Sequence, residues 1–279
     1  MPDRIQTALA KARARRAALA RAREGAGNGP PGGAAAGGTA APEGPSPETV
    51  WAALPEIHPS PEQLARSRLH PRPGSEGAAP FDQLRGQILR QMSPQGWRRV
   101  AITSPDSGCG SSTVAANLAL SLARQPGQRI LLIEADMHRP ALAGMLGLRT
   151  PPQFAQALRG SVPLTGPLLR LGDSLCLALN GAPESDASDL LQRADLAATL
   201  QRLEALLAPD VVLFDLPPML ADSDTLAFLD KVDCAILVAA ADATALPDLE
   251  GCAEELARHT HSLGVVLNKL RLGAPGYWA

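Results

Sequence analysis

The chain has 279 residues, of which 45% are hydrophobic and only 3% aromatic, and its formal charge is −2. That length suits one sizeable domain with extensions, or two small ones. The near-neutral balance and the scarcity of rings for base stacking argue against a specific nucleic-acid partner.

The four cysteines, Cys109, Cys176, Cys234 and Cys252, form no CxxC pair or ligand-like cluster, so the chain reads as reduced and intracellular. No apolar run reaches the ~18–20 residues of a membrane span, and no signal-peptide core is present. The expected location is cytoplasmic, with any membrane contact made through a partner or a surface helix.

In chain order, residues 3–24 are rich in alanine and arginine and predict a basic helix. It reads as a solvated helix, a helix docked on an acidic partner, or one lying on anionic lipid. Residues 25–79 are rich in Gly, Pro, Ala and Ser and predict a flexible linker. Within it, 48–69 has the composition of brief helical turns, with Trp51 and Leu54 either a docking motif or a local collapse.

A folded domain over 80–271 follows, then a short tail, 272–279. Phe81, Leu84, Ile88 and Leu89 stand at helical spacing in 81–92. Strands are expected over 98–105, 129–136, 175–181, 211–218, 234–240 and 264–270. Helices are expected over 111–124, 141–148, 186–207, 224–232 and 246–261. Short apolar strands alternating with helices describe a three-layer α/β fold with a mainly parallel sheet.

Three strand ends carry chemistry, and ligands of such sheets sit beyond the carboxyl ends of the strands. The first is the loop 104–113, SPDSGCGSST. Gly108 and Gly110 permit a tight turn and close backbone approach, and the helix start that follows can receive phosphate on its N–H groups. Ser107, Gly108, Cys109, Gly110, Ser111, Ser112 and Thr113 are the candidate phosphate-binding residues. A phosphate loop of the G-x-x-x-x-G-K-[ST] type has lysine at the place of Ser111. The other two ends are Glu134–Ala135–Asp136 and Asp215. Acids closing buried strands are costly unless paired, hydrated or metal-bound. Beside a phosphate loop they compose a Mg²⁺–nucleotide constellation, with Ser112, Glu134 and Asp215 as metal ligands, Asp136 and Asp215 as catalytic acids, and ATP or ADP as the nucleotide.

These segments resemble the cytoplasmic domains of the bacterial tyrosine autokinases that control exopolysaccharide and capsule export, a family within the MinD/ParA-like P-loop ATPases. The resemblance covers about 80–271. It is carried by Phe81–Asp82–Gln83–Leu84–Arg85 in the first helix, by the loop Thr103–Thr113, by LLIEADMHRP (131–140), by VLFDLPP (212–218), by Asp224–Thr225 or Asp222–Ser223, and by Val266–Leu267–Asn268. The opening IQTALAKAR is also similar to the N-terminal helix of family members encoded apart from their membrane co-polymerase. The resemblance implies a membrane polysaccharide co-polymerase or export complex as partner, self-association through the helix 81–92, peripheral placement at the inner membrane, and Asn268 near the nucleotide base.

The departures shape the functional expectation. Ser111 replaces the lysine, Glu134 replaces an aspartate, and His138 replaces an arginine. The tyrosine-rich acceptor tail is reduced to Tyr277. A charge-assisted hydrogen bond is worth about 1.5–3 kcal/mol, so this loop is expected to bind nucleotide weakly or not at all. The leading expectation is a regulatory, degenerate P-loop protein. The alternatives are an active autokinase or ATPase with a substitute cation such as Arg139, and a MinD/ParA-like positioning protein.

Overall fold

A computed structural model describes residues 45–75, 77–221 and 223–270. The expected basic helix 3–24, the tail with Tyr277, and Asp222 lie outside the described residues.

The sheet has seven strands. They are β1 (Arg99–Thr103), β2 (Ile130–Glu134), β3 (Leu168–Leu171), β4 (Leu175–Ala178), β5 (Val211–Asp215), β6 (Cys234–Ala240) and β7 (His261–Asn268). Their spatial order is β3-β4-β2-β5-β1-β6-β7. All neighbours are parallel except the edge hairpin β3–β4.

Every residue of β2, β4, β5 and β6 is buried, as expected of parallel strands covered on both faces. Successive side chains divide between two cores, following the two-residue period of a strand. Ala101, Leu131, Ile133, Val212 and Phe214 join one core. Val100, Ile102, Ile130, Leu132, Val211 and Leu213 join the other.

The helices are α1 (Pro47–Ala53), α2 (Pro61–Arg66), α3 (Ala79–Met92), α4 (Ser111–Ala123), α5 (Leu142–Met145), α6 (Phe154–Leu158), α7 (Ala187–Gln192), α8 (Leu196–Leu207), α9 (Asp224–Leu229) and α10 (Leu246–His259). On the first core lie α8 and α10, through Leu196, Leu200, Leu203, Leu207, Leu249 and Leu256. The second core is covered by α3 and α4. From Val114 to Leu122 every residue of α4 is buried, so this helix is covered on all sides. The polar hub between α3 and α4 is Asp82, which accepts from Ser121 Oγ at 2.6 Å and pairs with Arg85 and Arg124.

Several elements differ from the sequence expectation, among them the helix Phe154–Leu158, which was not expected, and β7, which starts at His261 rather than 264. The segment expected as one helix, 186–207, is two, because Arg193 turns to φ −55°, ψ 136°. The strand β3 was not expected. Part of the expected linker 25–79 is ordered structure: α1 and α2 are capped by Ser46 and Ser60, each with proline at the first turn, a strong helix start. Val50, Trp51 and Leu54 are buried in the first core, and Leu64 and Leu69 in the second. Each such side chain recovers about 1.5–3 kcal/mol on burial, which a reading of bulk composition averages away.

Candidate nucleotide site

The loop between β1 and α4 is built by its glycines and by its neighbours. Gly108 has φ +79° and Gly110 φ +92°, a region in which a Cβ is strained. At Gly110 a Cβ would also stand 2.3 Å from Asn268 Nδ2, and that nitrogen donates to the Cys109 carbonyl at 2.9 Å. Cys109 is buried, with its sulfur 3.5 Å from Thr244 Oγ1. Ser107 and Gly108 are exposed, and Gly110, Ser111, Ser112 and Thr113 are half-buried. No side chain caps the start of α4, so the first-turn N–H groups face the loop as an anion-binding end.

A second support lies under the segment after β5. The hydroxyls of Thr103 and Thr225 both donate to the Pro217 carbonyl, at 2.7 and 2.6 Å. Met219 N and Leu220 N donate to the carbonyls of Ser104 and Pro105, at 2.8 and 3.0 Å. The phosphate loop and the β5 end are thereby held as one unit.

Asp215 pairs in register with Ile102 of β1 on one side and with Glu134 of β2 on the other. It is 1% exposed, and neither carboxylate oxygen has a hydrogen-bond partner among the described residues. Burial pushes its pKa well above the usual carboxylate range. Glu134 and Asp136 push the same way, and only the Ser112 hydroxyl opposes them, from outside hydrogen-bonding geometry. Among the described residues no basic group counters these charges at Asp215.

An orphaned buried carboxylate beside a hydroxyl and a glycine loop fits a hydrated divalent cation, which needs only one or two protein ligands. Asp215 and Ser112 are the residues that would hold it.

Glu134, expected as a metal ligand, holds backbone groups of two neighbouring elements. One oxygen accepts from Ala141 N and Leu142 N, at 2.6 and 2.7 Å. The other accepts from Asn180 N at 2.8 Å, while Asn180 Nδ2 donates to the Glu134 carbonyl. With both oxygens accepting from backbone donors, it braces α5 and β4. Burial pushes its pKa up to about 7 against the pull of those donors.

Asp136, half-buried, accepts from Arg139 N at 3.1 Å. Arg139 is exposed and stands 3.8 Å from Asp136, so the cation weighed as a substitute pairs with Asp136 rather than Asp215.

Sequence reasoning missed one cluster next to the site. Asp224 is fully buried and accepts from Ser188 Oγ at 2.7 Å and Gln192 Nε2 at 3.1 Å, with His138 Nε2 at 3.4 Å. The Asp224–Thr225 pair was its only sequence signal. Among the described residues no group of three His, Cys, Asp or Glu is arranged to hold a metal ion.

A family model described as "ParA: NUBPL iron-transfer P-loop NTPase" matches residues 97–272. The chain belongs to the ParA family of P-loop NTPases. This NTPase is 31% identical over 187 residues to the tyrosine-protein kinase YwqD of Bacillus subtilis, covering 63% of this chain and 73% of YwqD. It is 27% identical over 175 residues to the flagellum site-determining protein YlxH of Helicobacter pylori, covering 61% of this chain and 57% of YlxH. The kinase domain of Escherichia coli tyrosine kinase ETK superposes with a TM-score of 0.63 at 25% identity, over 74% of this chain and 81% of that one. The mostly parallel seven-stranded sheet is thus the P-loop NTPase fold, and the chain is a homologue of bacterial tyrosine kinases. No helix among the described residues is long and apolar enough to cross a membrane.

Proposed function

We propose that this P-loop NTPase is a regulatory, degenerate relative of the tyrosine autokinases, acting in exopolysaccharide biosynthesis or export on a membrane co-polymerase or export complex. The observation that carries the reading is the charge balance of the site. Ser111 stands where the phosphate cation belongs, and the three acids Glu134, Asp136 and Asp215 lie together with no basic group among the described residues acting on Asp215. A nucleotide brings more negative charge to that place. A Mg²⁺ ion, held by Asp215 and Ser112, supplies the neutralising charge when bound.

In this reading Ser107 to Thr113 offer backbone and hydroxyl contacts to the phosphates of ATP or ADP, Asn268 lies by the base, and affinity is weak and strictly metal-dependent. The protein then acts through its shape, at the cytoplasmic face of the inner membrane. Self-association through α3 belongs to the same proposal.

The test is phosphate release from Mg–ATP together with labelling of Tyr277. Neither is expected from the wild-type chain. Turnover that disappears in Asp215→Ala would show an active enzyme instead.

The likeness to YlxH favours a second reading, a positioning protein of the MinD/ParA kind. Fluorescent tagging separates the two: a focus or gradient that needs residues 1–24 supports positioning, and recruitment that needs a co-polymerase supports the polysaccharide role.

A further inference from the structure

Residues 45–75 wrap one edge of the sheet and end on the helix that carries the phosphate loop. Trp51 packs in the first core and donates from Nε1 to the Leu207 carbonyl at 2.7 Å. The guanidinium of Arg129 lies 5.8 Å over its ring and bonds Glu48 at 2.8 Å. The chain then meets the edge strand in a single bridge between Glu56 and Arg170. Ile57 N donates to Arg170 O and Arg170 N to Pro55 O, both at 2.9 Å, while the Arg170 side chain holds Glu56 at 2.7 Å. Past the edge, Gln63 donates to the Gly144 and Met145 carbonyls, and Leu64 and Leu69 enter the second core.

The last contacts fall on α4. Asn117, 1% exposed, accepts from His70 N and donates to Arg68 O, both at 2.9 Å. The same amide donates to the Thr113 carbonyl at 2.9 Å, in the first turn behind the loop. Arg124 donates to the carbonyls of His70 and Pro71. The His70 ring lies so close to Gly77 that a Cβ there would stand 2.2 Å from it.

We propose that residues 45–75 are a releasable strap that links the N-terminal part of the chain to the phosphate loop through Asn117. Helices of seven and six residues do not persist alone in water, so the strap docks and detaches as a unit. Docked, it fixes Asn117, and Asn117 fixes the Thr113 carbonyl. Detached, it takes away two of the three partners of a buried amide, which then reorganises against the first turn of α4. Whatever holds the chain N-terminal to Ser46 acts on the loop by this route, and the loop acts on the strap in return. The coupling exists with or without nucleotide, so it goes beyond the functional reading given above.

The experiment is amide hydrogen exchange on the full chain without nucleotide, comparing wild type with Trp51→Ala. The substitution lies at the far end of the strap from α4. Exchange about tenfold faster is expected both in 45–75 and in 111–117, as for a shared local opening. Faster exchange confined to 45–75 overturns the proposal. If Trp51→Ala unfolds the whole domain, Trp51→Phe, which removes the bond to Leu207 but keeps an aromatic ring in the core, gives the same comparison. A chain that shows the coupling yet never binds Mg–ATP leaves the strap standing and removes only the nucleotide reading.

Discussion

Asn268, 159 residues beyond Cys109 in sequence, donates to the Cys109 carbonyl at 2.9 Å and fills the space a side chain at Gly110 would need. The last strand therefore shapes the phosphate loop directly. Gly110 is required twice over, by its φ of +92° and by this contact, whereas Gly108, at φ +79°, has no atom within 4 Å of its Cβ position. Gly110→Ala is expected to cost clearly more than Gly108→Ala. The latter pays the left-handed strain alone, about 1 kcal/mol. Thermal unfolding of the two variants checks the order. Equal losses would mean that Asn268 moves aside freely.

Asp215 makes the stability of the metal-free protein depend on pH. Its folded pKa is raised above the unfolded value, so the folded state binds the extra proton. The associated stability is complete below the unfolded value, near 4, and is lost as pH rises through the folded pKa. Asp215→Asn removes this loss. At pH 8 without metal the variant is expected to be more stable than wild type by about 1–3 kcal/mol, the usual cost of an unsatisfied buried group. The gain should vanish toward pH 4. Denaturant melts at the two pH values measure it, and a variant less stable at pH 8 would show that Asp215 has a partner in solution.

Glu134 titrates with the same sign as Asp215. Its pKa rises from 4.5 to about 7 on folding, so its contribution falls as pH passes from about 4.5 to 7. Its carboxylate accepts three backbone N–H bonds. Glu134→Gln places an NH₂ against at least one of those N–H donors and is expected to destabilise by about 2 kcal/mol or more. Mg²⁺ binding, if carried by Asp215 and Ser112, should survive in the folded variant. Calorimetry with Mg²⁺ checks this, and loss of metal binding by a well-folded Glu134→Gln would return Glu134 to the metal site.

His138 and Arg139 separate two roles in one loop. Arg139 is exposed and pairs at long range with Asp136, an arrangement worth little in water. Arg139→Ala is expected to leave stability within about 0.5 kcal/mol of wild type and to leave nucleotide affinity unchanged. A large drop in affinity would mark Arg139 as the missing cation after all.

The parallel strands were legible because each is a short apolar run ending beside Gly, Pro or acid. The phosphate loop was legible because Gly108 and Gly110 sit between such a strand and the apolar helix α4. The strand β3 was not, since LLRL is four residues long and its pairing with β4 is set by the hairpin rather than by burial on both faces. The break at Arg193 was hidden because Leu190, Leu191, Leu196 and Leu200 continue an apolar pattern across it. The bracing role of Glu134 was hidden because an acid at a strand end looks alike whether it meets a metal or three backbone N–H groups. The strap was masked by surrounding glycine and proline, although Trp51 and Leu54 were its anchors.

Ser111 leaves the site short of one positive charge, and titration of nucleotide with Mg²⁺ against wild type and Ser111→Lys measures that deficit. A restored charge-assisted bond of about 1.5–3 kcal/mol predicts roughly tenfold to a hundredfold tighter binding by Ser111→Lys, from a weak wild-type value that disappears without the metal. Tight wild-type binding that Ser111→Lys does not improve would contradict it.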